Sequence, residues 1–300
     1  MEIKEIKSIH LVSYTLMNSS VNAVWAFIYA IFSLILALIG LAFDSSAMAW
    51  TLIGVYAAMI IASPVSTFLI GIAQSFITAL IYNQLVPRIG GIKLGLENLS
   101  EVKSVPIIPF ALMTSTIAAI MTLLIALIIV PLFAAYAGIF IQLMSSMAAS
   151  TDTSAISTAG LGAFGAIGSL ILIIVMPIAV FIMAFIADAI LAGLYNLIAP
   201  KVGGIKLEFG NAKEGLHELL IIPPLPVALV TGVLTAVIGF IVGLIMLIIA
   251  AVSGSALVGV LLLLAFTIGG FIVAFVVDAV LALIYNFLRP KIGGVKLQLE

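Results

Sequence analysis

One pattern of thirteen residues occurs three times in this chain with identical internal spacing. Tyr82-Asn83 leads to Pro87-Arg88-Ile89-Gly90-Gly91-Ile92-Lys93-Leu94. Tyr195-Asn196 leads to Pro200-Lys201-Val202-Gly203-Gly204-Ile205-Lys206-Leu207. Tyr285-Asn286 leads to Pro290-Lys291-Ile292-Gly293-Gly294-Val295-Lys296-Leu297. Composition bias does not repeat a pattern of that length, so the chain reads as three copies of one unit. A second anchor lies upstream. Pro106-Ile107-Ile108-Pro109-Phe110-Ala111-Leu112-Met113-Thr114 matches Pro223-Pro224-Leu225-Pro226-Val227-Ala228-Leu229-Val230-Thr231, and the first unit follows with Leu16-Met17 on Leu112-Met113 and Ser13 on Pro109. The units are placed at residues 1–97, 98–210 and 211–300.

What fills each unit is apolar. Hydrophobic residues make up 65% of the chain and charged residues 8%, against about 25% charged in a soluble domain. Several runs exceed the roughly 18 apolar residues that mark a spanning helix. The expected spans are residues 22–43 and 50–85, 110–144 and 161–199, and 227–252 and 256–288. The first is too long for the apolar region of a signal peptide, about 7–15 residues, and is read as a true span. Its turn holds Asp44, and the outer loop of the second unit covers residues 145–160. Pro64, Pro131 and Pro177 fall inside apolar runs and are expected to kink their helices. A continuous helix from Ser255 to Arg289 would run about 52 Å at 1.5 Å per residue, against a hydrocarbon core of about 30 Å. It must either project from the membrane or break.

The end of each unit changes period. Ile92, Leu94 and Leu96 alternate with Lys93, Gly95 and Glu97; the tails after Gly204 and Gly294 do the same. Period two marks a strand with one buried face, and Gly-Gly ends the helix before it. Lone strands are unstable in water, so the tails are expected to pair with the lead-ins, with one another, or both.

All eleven Lys and Arg lie in lead-ins, motifs or tails: Lys4, Lys7, Arg88, Lys93, Lys103, Lys201, Lys206, Lys213, Arg289, Lys291 and Lys296. That bias sets orientation, so both termini are expected in the cytoplasm of a multi-pass protein of the cell membrane. Three units pointing the same way suggest an axis along the membrane normal. The expected fold is an all-α membrane protein: six transmembrane helices as three repeated hairpins around a pseudo-threefold axis, with a small cytoplasmic β-containing cap.

Candidate chemistry is sparse. Asp188 and Asp278 each stand seven residues before the motif tyrosine, where the first unit has Ser75. Two helical turns put aspartate and tyrosine on one face. An ionisable residue in a span is a candidate ion or proton site; at the inner interface it would serve instead as the partner of a motif Lys or Arg. The motif residues Tyr, Asn, Pro and Gly-Gly read either as a lipid-headgroup site, through their Arg or Lys, or as helix-end chemistry, with Tyr as interfacial anchor, Asn and Gly as stop and Pro as terminator. His10 and His217 are the only histidines, too few for a metal cluster and expected at the surface. Gly239 and Gly243 form a GxxxG packing motif in the fifth span. The chain has no cysteine, and its net charge of −1 gives no basic excess for nucleic acid. No phosphate loop, dinucleotide fingerprint, nucleophile elbow or HExxH pattern occurs. No catalytic group, metal or cofactor is therefore expected.

The ending Ala282-Leu283-Ile284-Tyr285-Asn286 through Gly293-Gly294-Val295-Lys296-Leu297, with its two other copies, resembles that of a two-span transmembrane domain of unknown function typified by small actinobacterial membrane proteins. The resemblance covers the end of each unit clearly and its start loosely. This chain carries three units where that family carries one. The resemblance implies a strand–span–span–strand module without assigned activity, whose single-unit relatives assemble as oligomers. Two functional classes follow from the sequence: a structural or accessory membrane protein with membrane lipid and a protein partner or further copies around it, and a small channel or carrier with a path along the pseudo-threefold axis. Ser, Thr and Asn of the first helices are expected to hydrogen-bond between helices.

Overall fold

The structure is a computed structural model and describes residues 1–43, 46–148, 158–212 and 215–300. Asp44, Lys213 and residues 149–157 of the expected outer loop lie outside the described residues. The chain is mostly helical. Among the described residues six helices are long and apolar enough to cross a membrane: Leu11–Gly40, Ala47–Ile89, Ile107–Tyr136, Gly168–Val202, Pro224–Val252 and Ala256–Ile292. Their full extents are α1 (Leu11–Gly40), α2 (Ala47–Ile89), α3 (Ile107–Ala148), α4 (Thr158–Val202) and α5 (Pro224–Val252), with the sixth divided into α6 (Ala256–Leu264) and α7 (Gly270–Ile292). Large apolar side chains such as Leu69, Met183, Ile248 and Val273 stand exposed along them, as the lipid-facing side of a span does.

The first span starts eleven residues earlier than its polar sequence suggests. Ser and Thr do not stop these helices because each hydroxyl turns back onto its own backbone. Ser19 donates to the Thr15 carbonyl at 2.7 Å, Thr116 to Leu112 at 2.6 Å and Thr231 to Val227 at 2.9 Å. The sixth span runs on as one helix from Ala256 to Ile292 but changes its ladder midway. Ala265–Gly269 is a π-helical turn centred on Thr267, whose hydroxyl donates to the Leu263 carbonyl at 2.7 Å. Thr267 lies eighteen residues before Tyr285; Pro64 and Pro177 lie eighteen residues before Tyr82 and Tyr195. The same position thus holds a proline or a π turn in each second span, all three of which disturb the regular hydrogen-bond ladder.

Two compact units are present: residues Met1–Pro109 with Leu191–Glu300, and residues Phe110–Ile190. The second consists of portions of α3 and α4. The first contains the remaining helices and the strands. Within it α1 packs along α2, and α5 along both halves of the sixth span. Gly239 and Gly243 let α5 approach closely: a Cβ on Gly239 would strike the Phe266 backbone, and one on Gly243 the Leu263 backbone. The GxxxG pair is a packing contact.

The β-structure is larger than a small cap on an all-α protein. Strands β1 (Glu2–Ile9), β2 (Lys93–Glu97), β3 (Glu101–Ser104), β4 (Ile205–Lys206), β5 (Glu208–Asn211), β6 (His217–Ile221) and β7 (Lys296–Leu299) form one antiparallel sheet. Its order is β4-β3-β2-β1-β7-β6-β5. The two outermost strands are consecutive in the chain, separated by Leu207 alone. The run from Ile205 to Asn211 therefore pairs with β3 through its first part and with β6 through its second, and the sheet closes into a ring. Among the described residues closure leaves no free edge to recruit another chain.

Around this ring lead-ins and tails alternate, and no tail pairs with another tail. The registers repeat. One set of pairs places Glu5 opposite Lys93, Glu101 opposite Lys206 and Glu218 opposite Lys296. In the other set Leu96 faces Val102, Phe209 faces Leu219 and Leu299 faces Ile6. Each seam of this second set slips by one residue at the same place, leaving Lys103, Leu220 and Lys7 as the extra residues of a bulge. Bulges add bend and twist, which a small closed sheet requires. The core under the ring joins Leu96 and Val102 from the strands to Tyr195, Ala199, Val230 and Leu234 from the helices.

Candidate functional site

The motif residues lie where each second span ends and turns into its strand. The turn is made by the first glycine of each pair. Gly90, Gly203 and Gly293 have φ of 81°, 98° and 82°, a region open in practice to glycine alone. The helices run through the prolines: α2 continues past Pro87, α4 past Pro200 and α7 past Pro290. Proline is therefore not the terminator it looks like in the sequence. The second glycine is required for a different reason. A Cβ on Gly91, Gly204 or Gly294 would fall onto the carbonyl oxygen of Ile6, Val102 or Leu219 on the neighbouring lead-in strand.

Tyrosine and asparagine bind that same strand. The Tyr82 hydroxyl donates to the Ile6 carbonyl at 2.7 Å and accepts the N–H of Ile92 at 3.0 Å. Tyr285 donates to Leu219 at 2.7 Å and accepts from Val295 at 3.1 Å. Tyr195 donates to Val102 and accepts from Ile205 at 3.0 Å. One phenol thus ties lead-in to tail at each corner. The rings are buried, at 2%, 5% and 5% exposed for Tyr82, Tyr195 and Tyr285, so they are strand clamps rather than interfacial anchors. Nor does asparagine stop the helix. Asn83 caps both backbone groups of Ile9, accepting its N–H and donating to its carbonyl at 2.8 Å each. Asn196 does the same to Val105 at 2.7 and 2.9 Å, and Asn286 to Ile222 at 2.9 and 2.8 Å.

A fourth group completes each latch and is not part of the repeated motif. Glu5 accepts the N–H of Gly91 at 2.7 Å, Glu101 that of Gly204 at 2.8 Å and Glu218 that of Gly294 at 2.9 Å. The sequence does carry a signal for it: each glutamate stands four residues before the asparagine-bound Ile9, Val105 or Ile222. The hydrogen bond from Gly91, aided by Lys7 and Lys93, holds the Glu5 carboxyl below its ordinary range. Lys103, then the Gly204 N–H, does so for Glu101.

Seven residues before each tyrosine, the three candidate positions differ. Ser75 is buried and accepts from Asn18 Nδ2 at 2.7 Å. Asp188 is half-buried, with the Thr114 hydroxyl 2.6 Å from its Oδ2. Both bonds join a first helix to a second, as expected. Asp278 is also half-buried but has no hydrogen-bond or ion-pair partner among the described residues, and Thr231 at the matching place bonds its own helix. Neither aspartate pairs with a motif Lys or Arg. His10 is exposed and its Nδ1 accepts from the Ser13 N–H at 3.3 Å, starting α1. His217 lies half-buried in β6, its Nδ1 without a hydrogen-bond partner among the described residues. No group of three His, Asp or Glu stands together among the described residues. A cleft of 430 Å³ opens between α1 and α2 beside Tyr29, Ser33, Gly40 and Tyr56, with no charged side chain in its lining.

Comparison of the chain with protein-family models, with curated proteins and with solved structures found no match.

Proposed function

We propose that this chain is a non-catalytic integral membrane protein of scaffolding or accessory-subunit type, made of three tandem copies of a two-span module. In this reading the modules, residues 1–97, 98–210 and 211–300, stand around a pseudo-threefold axis, and the strand ring lies at the cytoplasmic face of the cell membrane, where the Lys and Arg are gathered. The observation that carries it is the latch. Each motif tyrosine and asparagine, and the N–H of each second glycine, is engaged in holding a span to a strand, so these groups serve the fold and not a substrate. The matching registers and bulges around the ring support the triplication, as does the resemblance of each unit to a two-span domain. A polar ring on apolar stalks is suited to holding other membrane components in place through lipid-facing helices and strands.

Native mass spectrometry after mild extraction from the source membrane tests this. A stoichiometric complex with another protein, or a homo-oligomer, is the expected result; a lone 31.3 kDa species overturns the reading. One observation favours a channel or carrier instead, namely the unpartnered Asp278 inside a span. That reading requires a flux in liposomes that Asp188→Asn combined with Asp278→Asn abolishes. Absence of flux from the unmodified protein under several ion gradients ends it.

A further inference from the structure

Ten of the eleven lysines and arginines lie among the described residues. Seven of these face a carboxylate. Lys4 pairs with Glu2 at 3.8 Å and Lys7 with Glu5 at 3.2 Å; Lys103 reaches Glu97 at 3.4 Å and Glu101 at 2.8 Å; Arg289 reaches Glu218 at 3.2 Å. Lys93, Lys206 and Lys296 stand across the strands from Glu5, Glu101 and Glu218. The three with no carboxylate partner among the described residues are Arg88, Lys201 and Lys291. They occupy one position of the repeated motif, two residues before the turning glycine, and all three are exposed. Lys291 lies 3.4 Å from the centre of the Phe287 ring, which leaves its charge unneutralised.

A second repeated position flanks the same latch. Val12, Ile108 and Leu225 each follow the asparagine-bound residue by three, in the first turn of α1, α3 and α5. They are 69%, 68% and 65% exposed. Bare aliphatic side chains at the start of each first helix and unneutralised cations at the end of each second one, repeated three times, describe the boundary between hydrocarbon and headgroup.

We propose that Arg88, Lys201 and Lys291 are three contacts for the phosphate of anionic lipid headgroups, so that the strand ring is seated on charged lipid. This deepens the membrane-scaffold reading but rests only on the ring standing at the bilayer surface. A basic residue close to an anionic surface favours that lipid by about fivefold, and burying the cation under a phosphate would act on each corner separately. Three phosphates would match the three positions.

The experiment is lipid retention in native mass spectra from nanodiscs of phosphatidylcholine doped with phosphatidylglycerol, read with melting temperature. The unmodified protein is expected to keep up to three phosphatidylglycerols and to melt higher when that lipid is present. The triple variant Arg88→Gln, Lys201→Gln, Lys291→Gln is expected to lose both effects and to melt unchanged in phosphatidylcholine alone. A variant that keeps its phosphatidylglycerol overturns the proposal. So does one that melts lower in both bilayers, since that marks the cations as complements of their helix ends. Inorganic phosphate that stabilises detergent-solubilised protein as well as phosphatidylglycerol does would show a free-anion site and overturn the lipid assignment. Should the triple variant not fold, salt titration of the unmodified protein decides: the preference for phosphatidylglycerol must fall as ionic strength rises, and a preference indifferent to salt refutes it. Bound lipid is read whether or not a protein partner is found, so failure of the scaffold reading is separately visible.

Discussion

Adding one carbon at Gly91 drives it into the Ile6 carbonyl, and the same addition at Gly204 or Gly294 meets Val102 or Leu219. Gly204→Ala is therefore expected to destabilise the protein by about 1–3 kcal/mol. Gly54→Ala, at a helical position with open space around it, should be neutral or favourable by up to about 1 kcal/mol. Unfolding titrations in mixed micelles compare the two. The glutamates of the latch predict a pH dependence. The Glu5 and Glu101 carboxyls titrate lower folded than their ordinary value of 4.5, so the unfolded chain binds more protons as the pH falls. Their contribution is complete above about pH 4.5 and disappears as the pH drops through the folded values. Melting temperature should fall below that pH, and Glu101→Gln should melt lower at neutral pH yet lose less on acidification. At this scale the sequence shows which residues matter and misleads about their work. Tyr, Asn, Pro and Gly at a helix end match the general chemistry of helix termination. Their true partners are backbone groups of a lead-in 64 to 91 residues away for asparagine alone, and no local pattern reports such a pairing.

Elements were more legible than atoms, because apolar runs of this length have few alternatives to a spanning helix. Period-two tails announced strands for the same reason. The lead-ins were harder: β3 is four residues long and β6 five, too short for alternation to stand out, and the bulges at Lys7, Lys103 and Leu220 break what period they have. The closed sheet was thus invisible although four of its seven strands, those of the tails, were not. The matching of Pro64, Pro177 and the π turn at Thr267 gives a prediction at this scale. Thr267→Pro should be accepted, since its turn has already given up the regular ladder and two other spans hold proline there. Ala274→Pro, in regular helix seven residues on, should cost about 3 kcal/mol or more. Far-ultraviolet circular dichroism and melting in micelles measure the difference.

Over the whole molecule the latches make the spans and the ring interdependent. A span cannot leave without releasing the strand its tyrosine and asparagine hold, so unfolding of the first unit should proceed in few steps. Removing residues 296–300 leaves β1 and β6 each with an unpaired side, and the truncated protein is expected to associate through them; size-exclusion chromatography in detergent should show larger species than for the intact chain. The seam between β1 and β7 has one more implication, and it concerns time. Glu5 exchanges backbone hydrogen bonds with Glu300 at 2.7 and 3.0 Å. During synthesis β1 emerges before all six spans and its neighbour β7 after them. Until β7 arrives, β1 has one partner at most, and the ring stays unsealed. Closure of the sheet is then a checkpoint on synthesis of all six spans: a product terminated before β7 keeps an open seam, the state that quality-control proteases and stray strands find first.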